Sequence, residues 1–94
     1  MDIHMLHPHY RALVAEENVF ARHEFCADDY EVTIWQRKKG NPDFVAAAVR
    51  RGDLVIEEEA YSVVGLSERL PFSIPEHVTD EIEEAFYRYE ESEK

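Results

Sequence analysis

Tyr30-Glu31-Val32-Thr33-Ile34-Trp35-Gln36-Arg37 alternates two sets of side chains with a period of two. Tyr30, Val32, Ile34 and Gln36 form one set, and Glu31, Thr33, Trp35 and Arg37 form the other. The run is rich in β-branched and aromatic residues, so it reads as a two-faced strand. Val19 to Phe25 (Val-Phe-Ala-Arg-His-Glu-Phe) has the same character, and Cys26-Ala27-Asp28-Asp29 between the two is a polar break of the size that closes a hairpin. An antiparallel pair over about 19–37 is the nucleus of the predicted fold.

Upstream, Tyr10 to Glu17 contains helix formers and a Tyr10, Leu13, Val14 stripe, which predicts a short helix ended by Asn18. Residues 1–9 read as an irregular, mobile lead into it. Downstream, Asn41-Pro42-Asp43 offers a cap, a first-turn proline and an acid placed for the helix dipole. A helix from Pro42 to Arg51 follows, with Phe44, Val45, Ala48 and Val49 on its apolar face and Gly52 as its stop. Asp53 to Leu66 mixes signals. Glu57-Glu58-Glu59-Ala60 favours a helical turn and Tyr61-Ser62-Val63-Val64 favours strand, so a third strand is placed over about 60–66. Ser67 to Ser73, broken by Pro71, reads as a loop.

Residues from Ile74 onward are the most strongly patterned. Val78, Ile82, Ala85, Phe86 and Tyr89 lie on one stripe of a 3.6-residue period, and the opposite face is nearly all carboxylate. A helix over about 75–91 is predicted, with Pro75 at its first position and Asp80 and Glu81 near its start. Glu90, Glu91 and Glu93 fall at its C-terminal end, where the dipole disfavours anions; such a run either frays into solvent or meets something positive. The predicted architecture is α+β: a small antiparallel sheet, from the hairpin at about 19–37 and a third strand at about 60–66, packed by two or three helices.

A chain of 94 residues, 45% of them apolar, supports one domain over residues 1–94 with one modest core. The net charge of −11 argues against direct binding of nucleic acid or an anionic membrane and favours cationic partners through long-range attraction. Cys26 is the single cysteine, which excludes an intrachain disulfide. With no leader-like segment at the N-terminus and no run long enough to span a bilayer, the expected setting is the cytoplasm.

The sequence carries no glycine-rich phosphate loop, no Gly-x-Ser-x-Gly elbow, no His-Glu-x-x-His and no Cys-x-x-Cys. His23 and Cys26 as base and nucleophile would point to opposite faces of a strand, and Glu24, Asp28 and Asp29 would hold the thiol protonated. His4, His7 and His9 lack partners to complete a metal site. No catalytic residue, cofactor or metal is therefore assigned. Charge is polarised along the chain: residues 35–51 carry five basic residues against one acid, and residues 52–94 carry three against thirteen. Such runs are commonly solvated faces. The sharper reading makes Glu57, Glu58, Glu59, Tyr61, Asp80, Glu81, Glu83, Glu84, Tyr87, Glu90 and Glu91 an anionic surface for a partner. On a helix, acids three and four apart are spaced comparably with the phosphates of a nucleic-acid strand.

The expected function is a small acidic protein-binding module. It would act as an inhibitor on the basic, nucleic-acid-binding surface of a partner such as a nuclease. Immunity proteins and phage-encoded nucleic-acid mimics offer an analogy of size and charge, not of motif. The alternative is a self-associating interaction protein, a homodimer in which Trp35, Phe72, Tyr87 and Tyr89 supply apolar surface beyond what one small core covers. A small metal- or thiol-dependent enzyme is the third reading.

Overall fold

Tyr30–Arg37 is strand β2 of a four-stranded antiparallel sheet in the order β1-β2-β3-β4. The structure is a computed structural model describing residues 2–38 and 40–93. Strand β1 is Val19–Ala27, β3 is Phe44–Arg50 and β4 is Asp53–Ala60. Helices α1 (Pro8–Leu13), α2 (Val63–Arg69) and α3 (Glu76–Ser92) complete the α+β fold. Ala27 pairs with Tyr30 across a two-residue turn in which Asp28 has φ 54°, a left-handed conformation that aspartate tolerates.

Both faces of the sheet centre are covered. On one face Val32 lies between Phe25 and Ala48, and Ile34 between His23 and Ala46. These side chains pack under Leu66 of α2, Leu70, Phe72, and Val78 and Ile82 of α3. On the other face Trp35, Val45 and Ala47 pack with Leu6 and Val14. Val45, Ala46, Ala47 and Ala48 are all completely buried, as a strand sandwiched between two layers must be.

That burial explains the main departure from expectation. The helix predicted over Pro42–Arg51 is instead β3, because Phe44–Val49 is a continuous apolar run with no free face, and alanine's helix propensity yields to pairing on both edges. Gly52, anticipated as a helix stop, is a hairpin residue. Arg51 at φ 55° and Gly52 at φ 82° form the two-residue turn between paired Arg50 and Asp53.

The chain beyond it shifts accordingly. The strand expected over 60–66 lies at Asp53–Ala60, and Glu57–Glu59 are extended, not helical. Most of what was read as strand and loop after it is α2, capped by Ser62, whose Oγ accepts the Gly65 N–H at 3.0 Å. A Cβ on Gly65 would lie 3.2 Å from that oxygen, which favours the glycine there. The first helix ends at Leu13, earlier than expected, and Glu16–Asn18 turn as a 3-10 segment. Residues 2–9 are docked, with Leu6 only 1% exposed. The terminal helix runs where the sequence placed it, with Pro75 as N-cap rather than first residue.

Gln36 is the polar node of the apolar layer beneath α3. Its amide nitrogen donates to the Ile82 carbonyl at 3.2 Å, which turns its oxygen toward His23 Nε2 at 2.6 Å. His23 Nε2 is therefore the donor in that bond. Gln36→Leu leaves the buried His23 N–H without its acceptor, and the expected cost is about 1–3 kcal/mol in urea unfolding. Adding His23→Leu should recover part of the loss; strictly additive losses would show that the two residues do not act as a pair.

Candidate interaction surface

Helix α3 is seated by Val78 and Ile82, at spacing i and i+4, on the sheet face carrying Phe25 and Ile34. Its outward positions are Asp80, Glu81, Glu83, Glu84, Tyr87, Glu90 and Glu91, all exposed. Arg88 contacts Glu84, and Glu81 Oε2 lies 3.8 Å from His23 Nδ1. Among the described residues Asp80, Glu83, Glu90 and Glu91 have no ion pair. The last turn contains no cation and Glu93 is the C-cap, so the negative end of the helix dipole carries further negative charge.

Aromatic residues interrupt the carboxylates. Tyr87 is 57% exposed and its ring centroid lies 6.2 Å from that of Phe86, itself 47% exposed although it belongs to the apolar stripe of α3. Phe86 lines a groove of about 480 Å³ together with Tyr61, just past the end of β4, and with Phe44, Val63 and Ile82. At one end Tyr89 stacks on Phe20 at 4.2 Å and donates its hydroxyl to the Lys38 carbonyl at 3.0 Å. Of the four aromatics that suggested surplus apolar surface, Trp35 and Phe72 are buried and Tyr89 is stacked, leaving Tyr87 outward.

The carboxylates of β4 belong to a different surface. Glu57 and Glu59 pair with Ala47 and Val45 on the face opposite α3. Glu57 is largely covered: its Oε2 accepts the His7 N–H at 2.9 Å and its Oε1 lies 3.2 Å from His7 Nε2. Glu59 Oε1 is 3.5 Å from His9 Nε2, and the Glu59 carbonyl accepts from Arg69 at 2.6 Å. Glu58, half-buried, pairs with Ala46 on the α3 side. The predicted eleven-residue surface therefore divides into the α3 face with Tyr61 and a β4 patch that fastens the N-terminal segment.

The basic stretch also divides. Arg37 donates to the carbonyls of Leu13 at 3.0 Å and Pro42 at 2.7 Å, at one end of the sheet. Arg50 lies 5.5 Å from the Tyr30 ring centroid and 3.9 Å from Asp29 at the other end; Lys39 falls outside the described residues. His23 is buried while Cys26 is exposed on the opposite strand face. Among the described residues no three His, Cys, Asp or Glu side chains form a metal-holding group, and no described helix is long and apolar enough to cross a membrane. The groove was not legible, because Phe20, Phe44, Tyr61 and Phe86 come from four separate segments; exposed Phe86 on an otherwise buried stripe is visible only once the sheet is in place. Comparison with protein-family models, curated proteins and solved structures finds no match to this chain.

Tyr10 reports on the β4 patch. Burial, and then the charges of Glu59, Glu58 and Glu57, push its phenol above the usual tyrosine value. With the folded value above the unfolded one near 10, its contribution is full below about pH 10 and disappears as pH rises through the folded value. Tyr10→Phe should flatten part of the alkaline limb of stability in urea titrations between about pH 9 and about pH 11. Parallel limbs for the two proteins would show that Tyr10 does not couple to these carboxylates.

Proposed function

We propose that this chain is a small acidic protein-binding module of the cytoplasm, an inhibitor that lays α3 against the basic, nucleic-acid-binding surface of a partner protein. One observation carries the reading: Asp80, Glu83, Glu84, Glu90 and Glu91 stand exposed on a single 17-residue helix, with Phe86 and Tyr87 exposed among them. Carboxylates supply attraction at a distance and the aromatic rings supply the contact area on which tight binding concentrates. A seated helix presents these groups with little ordering entropy to lose on association.

The C-terminal acids separate this reading from plain solubility. Solubility alone needs net charge and is indifferent to its position. Glu90 and Glu91 sit in the last turn of α3, where each weakens the helix by roughly 0.3–1 kcal/mol. Neutral replacement should therefore move stability and binding in opposite directions.

The test is capture of partners from a lysate of the native host at rising ionic strength. Wild-type protein should retain a basic partner that salt releases. Glu83→Gln, Glu84→Gln, Glu90→Gln and Glu91→Gln together should lower that partner's affinity by about tenfold or more and flatten its salt dependence. The pair Glu90→Gln and Glu91→Gln should at the same time raise the melting temperature. Unchanged affinity and salt slope would show that α3 is a solvated face.

A further inference from the structure

We infer that the groove beneath Phe86 receives an apolar side chain, aliphatic or aromatic, from a basic segment of the partner. This rests on the acidic-module reading and adds to it the chemistry of the anchor. Phe86 is in register with the buried Val78 and Ile82 of α3, yet it remains 47% exposed, on a groove that it lines with Tyr61 and that no described residue fills. The groove's volume, about 480 Å³, is within the range of ligand pockets.

Of the eight polar side chains that line the groove, Gln36, Arg37, Thr79 and Tyr89 are already committed within the fold, and Lys38, Asp43, Tyr61 and Glu83 are the remainder. Gln36 bonds His23 and the Ile82 carbonyl, Arg37 bonds the Leu13 and Pro42 carbonyls, Thr79 Oγ1 donates to the Glu76 carbonyl, and the Tyr89 hydroxyl bonds the Lys38 carbonyl. Against Phe44, Val63 and Phe86 a polar occupant would lose its water without gaining a partner, whereas an apolar one meets them at no such penalty. The recognisable element inside the groove is therefore apolar surface.

Charge at the lip identifies what carries the anchor. Glu83 and Glu90 stand three residues before and four after Phe86, on the same side of the helix, and neither has an ion pair among the described residues. Asp43 is a further carboxylate of the lining, and the opposing charges are Arg37 and Lys38, the latter at the Tyr89 end, so the favoured arrangement seats the anchor toward Tyr61 with basic neighbours on the α3 side. A central apolar contact ringed by charge pairs at the rim is the usual anatomy of a binding hot spot.

Three synthetic dodecapeptides of lysine and serine, identical except for a central tryptophan, leucine or alanine, test the inference by calorimetry and amide NMR on the intact chain. The tryptophan and leucine peptides should bind about tenfold or more tightly than the alanine peptide and shift the resonances of Phe44, Val63 and Phe86. Phe86→Ala and, independently, Tyr61→Ala should remove that advantage; both side chains are exposed, so the fold is expected to tolerate their loss. Equal binding of all three peptides, with shifts confined to the outer acids of α3, would overturn the groove and leave the acidic surface standing. Failure of every lysine peptide to bind at low salt would overturn both. Equally tight binding of a serine-only peptide with the same central tryptophan would overturn the basic carrier and assign the groove to an uncharged apolar ligand.

Discussion

Burial of β2 and β3 on both faces is the constraint on which the rest of the molecule depends. Ile34 and Ala46 need cover on one side of the sheet, and Trp35, Val45 and Ala47 on the other, so 94 residues must provide two outer layers. Helices α2 and α3 supply the first, and Leu6 and Val14 anchor the second. Small side chains at Ala46–Ala48 allow both layers to approach closely, and with so little bulk in the middle strand the fold relies on Trp35 and Ile34 to fill space. Apolar material is then short at one end of the sheet, where β1 and β3 begin and β2 and β4 finish. The groove under Phe86 is where the α3 layer overhangs that end without closing it.

The hairpin, the terminal helix and the α+β class were readable because each shows a clean period, two for Tyr30–Arg37 and 3.6 for Val78–Tyr89. Phe44–Arg50 was not, because burial on both faces erases periodicity, and the cap-like Asn41-Pro42-Asp43 is a bend leading into the strand instead. The useful signal was Arg51-Gly52 between two apolar runs, a two-residue hairpin turn as well as a helix stop. Once β3 is misassigned, β4 and α2 slip too: Val63, Leu66 and Leu70 have helical spacing behind the Ser62 cap, but β-branched residues and Gly65 weaken it. Seven of the eleven candidate surface residues, those on the outer face of α3, followed from the helix alone. The groove required the register that brings Phe44 opposite Ala60 and so places Tyr61 in the same lining as Phe86.

Net charge understates how anionic α3 is to an approaching molecule. Several cations are held by backbone carbonyls rather than carboxylates: Arg11 bonds the Leu6 carbonyl at 3.1 Å, Arg37 those of Leu13 and Pro42, and Arg69 that of Glu59. These guanidinium groups join chain segments and are spread over the sheet ends and the N-terminal side. On α3 Arg88 pairs with Glu84, and Lys38 adjoins the helix at Tyr89. The molecule is polarised in space as well as along its sequence, which is the distribution that steers a basic partner to one face.

The same helix must tolerate its own charge, and the way it is held explains how it does. Its first half is fixed by Val78, Ile82 and the bond from Gln36 to the Ile82 carbonyl. Its second half, where Glu90, Glu91 and Glu93 oppose the dipole, has little core beneath it and is held by the Phe20–Tyr89 stack and the Tyr89 hydroxyl on the Lys38 carbonyl. An aromatic stack contributes about 0.5–1.5 kcal/mol, comparable with the roughly 0.3–1 kcal/mol that an anion costs in the last turn. Tyr89 thus offsets part of what the three carboxylates cost the acidic end of the helix. Because Phe86 lies one turn before it, the same contact fixes the lip of the groove, so the carboxylates and the apolar slot are held in one geometry before anything binds.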